Sequence, residues 1–245
     1  MKKAVSVVVM ALSLTIPFGS HAEAYQEAAV TNGGSITGKV AFSGNDPAPK
    51  IYNVAKDNDV CGTGQREIDY VKVNNGALMD VVVYLDKVKA GKPFPADTRE
   101  GNVNQQDCEF KPFLSIMHNG ASFNAENADP IRHNIHTYEM MGRAKKTVFN
   151  VNQREPGTIT KQIDLQRGNA MKVECDAHDF MHAFVFVAKN PYYAVVKDDG
   201  TFSIDDVPPG EYTIKAWHGT LREQKAKVNV DAGGAAIVNF QFEGK

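Results

Sequence analysis

Apolar and polar residues alternate in short stretches along most of this chain. Gly34 to Phe42 reads G-S-I-T-G-K-V-A-F, the period of two that marks a strand with one buried face. Asp69 to Val73 reads as a strand, Asn74-Asn75-Gly76 as a tight turn, and Leu78 to Leu85 (L-M-D-V-V-V-Y-L) as a more deeply buried strand. Strands follow at Phe113 to Met117, Ala121 to Glu126, Thr147 to Val151, Thr158 to Leu165 and Met171 to Cys175, and Ala183 to Ala188 is an apolar one. Ala194 to Val196, Thr201 to Ile204, Tyr212 to Trp217, Ala226 to Val230 and Ala236 to Phe242 complete the series, with Asp198-Asp199-Gly200 as a hairpin turn. Punctuated stretches lie between them: Gly44 to Pro49, the polar and irregular Lys50 to Tyr70, and Lys87 to Arg99 with its two prolines. Helical periodicity with caps is not sustained anywhere; Thr220 to Ala226 allows at most a turn of helix. Many short strands between turns predict an all-β sandwich or barrel.

The first 24 residues break this rhythm. Lys2 and Lys3 give a positive start, Ala4 to Phe18 is apolar apart from scattered Ser and Thr, and small-residue sites follow at Ser20-His21-Ala22 and Ala22-Glu23-Ala24. That is the layout of a secretory signal peptide, too short for a membrane span, with a retained N-terminal anchor as the alternative. No cysteine stands at the cleavage site to carry a lipid. Removal of residues 1–24 leaves 25 basic and 28 acidic residues, a net charge of −3. Such a balance gives no sign of nucleic acid or of an anionic membrane surface as partner. The leader makes a periplasmic or secreted mature chain the expectation, and no later apolar run is long enough to span a bilayer.

Chemistry concentrates in Val173 to Val187, V-E-C-D-A-H-D-F-M-H-A-F-V-F-V. Cys175, His178 and Met181 stand there as Cys-x2-His-x2-Met. Thiolate, imidazole and thioether form a soft donor set that selects copper over hard cations, and a His2Cys site with a weak axial Met is the blue-copper pattern. A second His must come from elsewhere. The chain has three cysteines and is expected in an oxidising compartment, so one is left over. Cys61 and Cys108 have no His or Met arrayed beside them and are assigned to a disulfide, leaving Cys175 as the metal thiolate; a plain reactive thiol is the alternative reading. Enzyme motifs are absent: no Gly-x-Ser-x-Gly, no Gly-x4-Gly-Lys and no His-Glu-x2-His occurs, and Cys175 with His178 makes a poor nucleophile and base.

Residues 104–190 resemble the cupredoxin family. The resemblance is carried by Asn127-Ala-Asp-Pro-Ile-Arg-His133-Asn134 and by Cys175-x2-His178-x2-Met181 with the strand that follows. It implies His133, Cys175 and His178 as strong copper ligands, Met181 as the axial one, and Asn134 as a link between the two ligand loops. His136 is the rival first ligand; on a strand it faces away from His133, and His133 is preferred because Asn follows it and an Asp-Pro turn precedes it. The short His-x2-Met spacing is similar to that of the binuclear copper domain of cytochrome oxidase subunit II. That domain needs a Cys four residues before Cys175, where this chain has Met171, so one copper per chain is expected. Phe149, Phe180 and Phe184 are candidates for an apolar shell or for ordinary core. His118, His136, His182 and His218 are then surplus: structural histidines, members of a second metal site, or part of a docking face.

The flanking segments look like one interrupted module. Gly34-x-Ile-x-Gly-x-Val, Val81-x-Val-x-Leu and Asp198 to Ile214, with Asp199 to Tyr212 the most specific part, are similar to the carboxypeptidase-regulatory, transthyretin-like sandwich. The expected organisation is a signal peptide (1–24), the first part of a prealbumin-like β-sandwich (25–103), a cupredoxin Greek-key β-sandwich (104–190), and the second part of the prealbumin-like sandwich (191–245). The whole resembles exported methylamine-utilisation or plastocyanin-like proteins. Its implied role is electron transfer by a mononuclear type 1 copper, without enzymatic activity. The expected partner is a redox protein such as a c-type cytochrome or a dehydrogenase. Two other roles are weighed: a copper-handling or cell-surface interaction protein with stored or structural copper, and an oxidase with a second site at His136, His182 and His218.

Overall fold

The computed structural model describes residues 25–244; the signal-peptide reading of residues 1–24 lies outside them. The described chain is an all-β structure built as packed sandwiches. Strands from its two ends interleave. Gly34–Ser43 runs antiparallel to Thr201–Val207 and parallel to Ala235–Ile237 and Phe240–Glu243. Facing that sheet, Val81–Asp86 sits between Tyr193–Val195 and Gly210–His218, and the latter pairs on to Gln224–Val230. Ile36, Leu78, Val81, Val83, Leu85, Ile204 and Ile214 fill the space between. A tight turn does form at Asp198-Asp199-Gly200, with Gly200 at φ 81°, a conformation that glycine adopts without strain. It is not the expected hairpin, because Tyr193–Val195 and Thr201–Val207 on either side of it pair into different sheets.

The central residues make a second pair of sheets. One has the order Glu109–Lys111, Glu100–Gln106, Ser122–Asn127, Gly157–Gln162. The other has the order Leu114–His118, His182–Ala188, Ala170–Glu174, His133–Met141, Ala144–Gln153. Ile135, Phe123, Ile163, Met171, Val173 and Val185 pack between them. The boundary expected at 103/104 falls inside the strand Glu100–Gln106, which pairs with the central strands Glu109–Lys111 and Ser122–Asn127.

Two near-continuous apolar strands explain how the sandwiches meet. Side chains on a strand alternate between faces, so a strand that is apolar at every position is covered on both sides. In Val81–Asp86, Val81, Val83 and Leu85 enter the flanking core, while Val82 and Tyr84 point the other way. In His182–Ala188, Ala183, Val185 and Val187 enter the central core, while Phe184, Phe186 and Ala188 point outward. The outward faces meet each other and Trp217, with the Tyr84 and Phe186 ring centroids 5.0 Å apart. Gly219 lies against the Phe184 ring, which a Cβ there would approach to 2.6 Å.

Some local expectations are corrected. Lys50 to Tyr70 contains a hairpin, Lys50–Asn53 with Gln65–Ile68, and a helical turn at Asn58–Cys61. Its Tyr52, Val54 and Cys61 are buried in the central core. Asp69 to Val73 is extended only at Val73–Asn74, because Asp69 Oδ1 accepts the Val71 N–H and makes a local turn. Thr220 to Ala226 holds no helix; the strand Gln224–Val230 begins within it. The Cys61–Cys108 disulfide is present, and no helix among the described residues is long and apolar enough to cross a membrane.

Candidate metal centre

The loop between Ala170–Glu174 and His182–Ala188 carries Cys175, His178 and Met181. Two successive turns shape it: the His178 N–H donates to Cys175 O (3.3 Å), and the Met181 N–H donates to His178 O (3.0 Å). Residues three apart in such turns lie above one another. The two-residue gap between Cys175 and His178 therefore brings their side chains to one side, Sγ 3.7 Å from Nδ1. The Cys175 N–H then closes the loop on Met181 O (3.4 Å). Antiparallel pairing of His133–Met141 with Ala170–Glu174 puts the start of the former beside the end of the latter. His133 thus arrives at the same end of the sheet as Cys175.

Three side chains converge there. His133 Nδ1 stands 3.2 Å from His178 Nδ1, and His178 Nδ1 stands 3.7 Å from Cys175 Sγ. Cys175, His133 and His178 are all buried, as is Met181. The Asn134 N–H donates to Cys175 Sγ (3.4 Å), and the Asn134 side-chain oxygen accepts the Asp176 N–H (3.1 Å), so Asn134 joins the two loops. Phe180 packs with its centroid 5.6 Å from the His178 ring. Phe149 lies against Phe123, and Phe184 faces the neighbouring sandwich instead.

Each imidazole is held from behind by a carboxylate. His133 Nε2 is 2.8 Å from Asp129 Oδ2, and His178 Nε2 is 2.9 Å from Asp57 Oδ2. An ionised carboxylate only accepts, so each Nε2 carries the proton and each Nδ1 keeps its lone pair. Two lone pairs and a thiol sulfur thus face one another in a buried space. Donors about 2 Å from one small ion stand a little over 3 Å apart, which is the spacing found. The donor set fits a soft transition metal.

Burial lowers the His178 basicity; Asp57 opposes this and the neighbouring His133 reinforces it. Burial pushes the Cys175 thiol up, against the N–H groups of Asn134, Ala177 and His178. A thiol so held makes a poor free nucleophile. At Asp129, burial acts upward but is outweighed by the N–H groups of Cys108 and Asp107 and by His133, leaving the carboxyl below its usual range. A second grouping, Cys108, Asp129 and His133, offers no thiolate because Cys108 is in the disulfide.

The remaining histidines lie elsewhere. His136 faces Asp176 (2.9 Å), Tyr138 and Thr147 on the outer side of its strand. His182 turns to the Asp179 carbonyl (2.6 Å) and the Tyr52 hydroxyl (3.2 Å). His118 packs on Phe94. His218 is buried, its Nδ1 accepting the N–H groups of Thr220 and Leu221. Among the described residues no group of potential ligands joins His136, His182 and His218.

Burial lowers the His218 pKa from 6.5 to about 4, with Asp80 opposing and Lys72 reinforcing. The unfolded chain binds the proton more readily between those values, so the contribution of His218 is full above 6.5 and lost as pH falls towards 4. His218→Asn keeps an acceptor and removes the titration. The stability of the wild type relative to this variant is expected to rise by about 3 kcal/mol from pH 4 to pH 7. Urea unfolding across that range measures it; a flat difference would refute the assignment.

Asp57 and Asp129 escaped the sequence reading. Asp129 stands four residues before His133 within Asn-Ala-Asp-Pro, a signal that was there to be used. Asp57 lies 121 residues from His178 in an aperiodic stretch and gives no local sign of its role.

A family model described as polysaccharide lyase family 4, domain II matches residues 173–237, well under half of the chain; no carboxypeptidase-regulatory model matches. No curated protein matches the sequence. Among solved structures the chain is similar to a purple cupredoxin from Nitrosopumilus maritimus, at 15% identity, 36% of this chain, 99% of that one and a TM-score of 0.31. It is also similar to amicyanin from Paracoccus versutus, at 15% identity, 38% of this chain, 84% of that one and a TM-score of 0.31. A copper-containing nitrite reductase from Thermus scotoductus matches at 15% identity and a TM-score of 0.30 over 42% of this chain and 24% of that one. The chain thus spans about a quarter of that reductase.

Proposed function

We propose that this chain is an exported mononuclear blue-copper protein that carries single electrons between redox partners. His133, Cys175 and His178 would hold the copper as strong ligands, with the buried Met181 of the same loop as the candidate weak donor. The observation that carries this reading is the convergence of two buried imidazole lone pairs on a buried cysteine sulfur. Copper in such a site supplies one-electron chemistry, with tuning by the axial ligand, the apolar surroundings and hydrogen bonds to the sulfur. The protein's own part is rigidity. Carboxylates fix both rings, Asn134 holds the sulfur and ties the loops, and paired strands anchor each ligand segment. Little atomic motion then accompanies a change of charge.

The flanking strands are read as a prealbumin-like sandwich into which the copper unit is inserted, because strands before and after the central sheets pair with one another. The disulfide supports a periplasmic or extracellular address, and the partner is proposed to be a redox protein such as a c-type cytochrome or a dehydrogenase. Titration of the purified, reduced-thiol protein with Cu(II) is expected to give an intense visible charge-transfer band that saturates at one copper per chain. No band, with Cys175 intact, sinks the reading. Reversible voltammetry of the copper form separates a carrier from a storage protein.

A further inference from the structure

A segment from the first third of the chain is built over the ligand loop. Residues 54–64 bring Asp57 to His178, and the hairpin that carries them is pinned at several points. Arg66 donates to three carbonyls, those of Cys61, Asp107 and Cys108, at 2.7–2.9 Å. Its guanidinium also lies 4.9 Å from the centre of the Phe180 ring, within the ligand loop. The Asn58 side chain donates to Val54 O and Gly62 O, closing the turn on itself. Asp57 takes a left-handed backbone, φ 53°, that aims its side chain within this turn.

The far end of the disulfide repeats the arrangement. The N–H groups of Asp107 and Cys108 donate to the two oxygens of Asp129 (2.8 and 2.9 Å), and Asp129 holds His133. Cys61 therefore sits four residues from one carboxylate, and Cys108 touches the other. One covalent link spans the two supports of the two imidazoles.

Resting on the copper reading, we propose that Asp57 and Asp129 are positioning residues that fix both histidines with Nδ1 towards Cys175, and that their paired negative charges favour the oxidised form of the bound metal. Cu(II) carries one more positive charge than Cu(I), so each carboxylate behind a ligand ring stabilises it more. The Cys61–Cys108 bridge keeps both supports in register. With Asp57 at its far nitrogen, 2.9 Å away, the His178 side chain has no exposed surface.

The test is made on the full copper-loaded chain with Asp57→Asn. Asparagine tolerates the left-handed backbone and keeps an acceptor while losing the charge. The visible band and the stoichiometry of one copper are expected to persist, while the ratio of Cu(II) to Cu(I) affinity falls about tenfold, a rise of about 59 mV in reduction potential. Asp57→Glu, which keeps the charge, is expected to return the potential towards the wild-type value. Asp59→Asn, a charge removed from the exposed face of the same turn, is the control. An unchanged potential in Asp57→Asn, or an equal rise in Asp59→Asn, overturns the proposal. Absence of the band from wild-type protein sinks the copper reading itself and is told apart by spectroscopy before any variant is made.

Discussion

Cys175→Ser is expected to abolish the intense visible band of the Cu(II)-loaded chain and to lower copper affinity by more than about a hundredfold. Losing an outer-shell partner of a metal ligand already costs about 10–100-fold, and Cys175 is proposed as a direct ligand and the only thiolate. The band requires electron donation from sulfur to the metal, which a serine oxygen does not provide. The change is small in volume, and serine can accept the Asn134 N–H that now points at the sulfur. The fold should therefore survive, and circular dichroism and thermal unfolding of the apo-protein should overlay those of the wild type. An intense band retained in the serine variant would exclude Cys175 from the coordination sphere.

Replacing both Cys61 and Cys108 with alanine is expected to cost about 4 kcal/mol of stability. The cysteines are 47 residues apart in sequence, and cross-linking a loop of that length removes unfolded-state entropy worth about 4 kcal/mol. Against a typical total of about 5–15 kcal/mol, this is a large share. Denaturant unfolding of the double variant measures it, and a loss below about 1 kcal/mol would refute it. Local unfolding should concentrate in the Lys50–Asn53 and Gln65–Ile68 hairpin, which otherwise relies on Tyr52, Val54 and the Arg66 contacts to stay on the central core. Hydrogen exchange in that hairpin should rise before exchange elsewhere.

The parts of this structure legible in sequence were those written locally. Cys-x2-His-x2-Met could be read because two short turns stack its residues, and the turns need no distant partner. The all-β class could be read because most strands have one wet face and one dry face. His133–Met141 was silent for a physical reason. Its buried positions include His133, Asn134, Thr137 and Glu139, polar residues made acceptable by partners rather than by apolarity. Glu139, for example, accepts the N–H groups of Arg167 and Gly168. A hydrophobic period cannot reveal a strand whose interior is hydrogen-bonded. The hairpin within Lys50 to Tyr70 was missed similarly, since only Tyr52 of its paired residues is deeply buried. His133 came through family likeness to its loop, and Asp57 had no local signal at all. Contacts 121 residues apart are set by how sheets stack, which no window of sequence contains.

The shared aromatic seam between the sandwiches bears on how such a chain can be rearranged. His182–Ala188 leaves the ligand loop and at once turns Phe184 and Phe186 onto Val82, Tyr84 and Trp217. The central sheets are therefore no cassette. Cut free, they would carry a greasy flank next to the loop that holds Cys175, His178 and Met181, and they would forfeit the roof that Asp57 provides. Transplanting the centre into another scaffold would mean repainting that flank with polar residues and bringing the Lys50 to Tyr70 segment along as an attached strap.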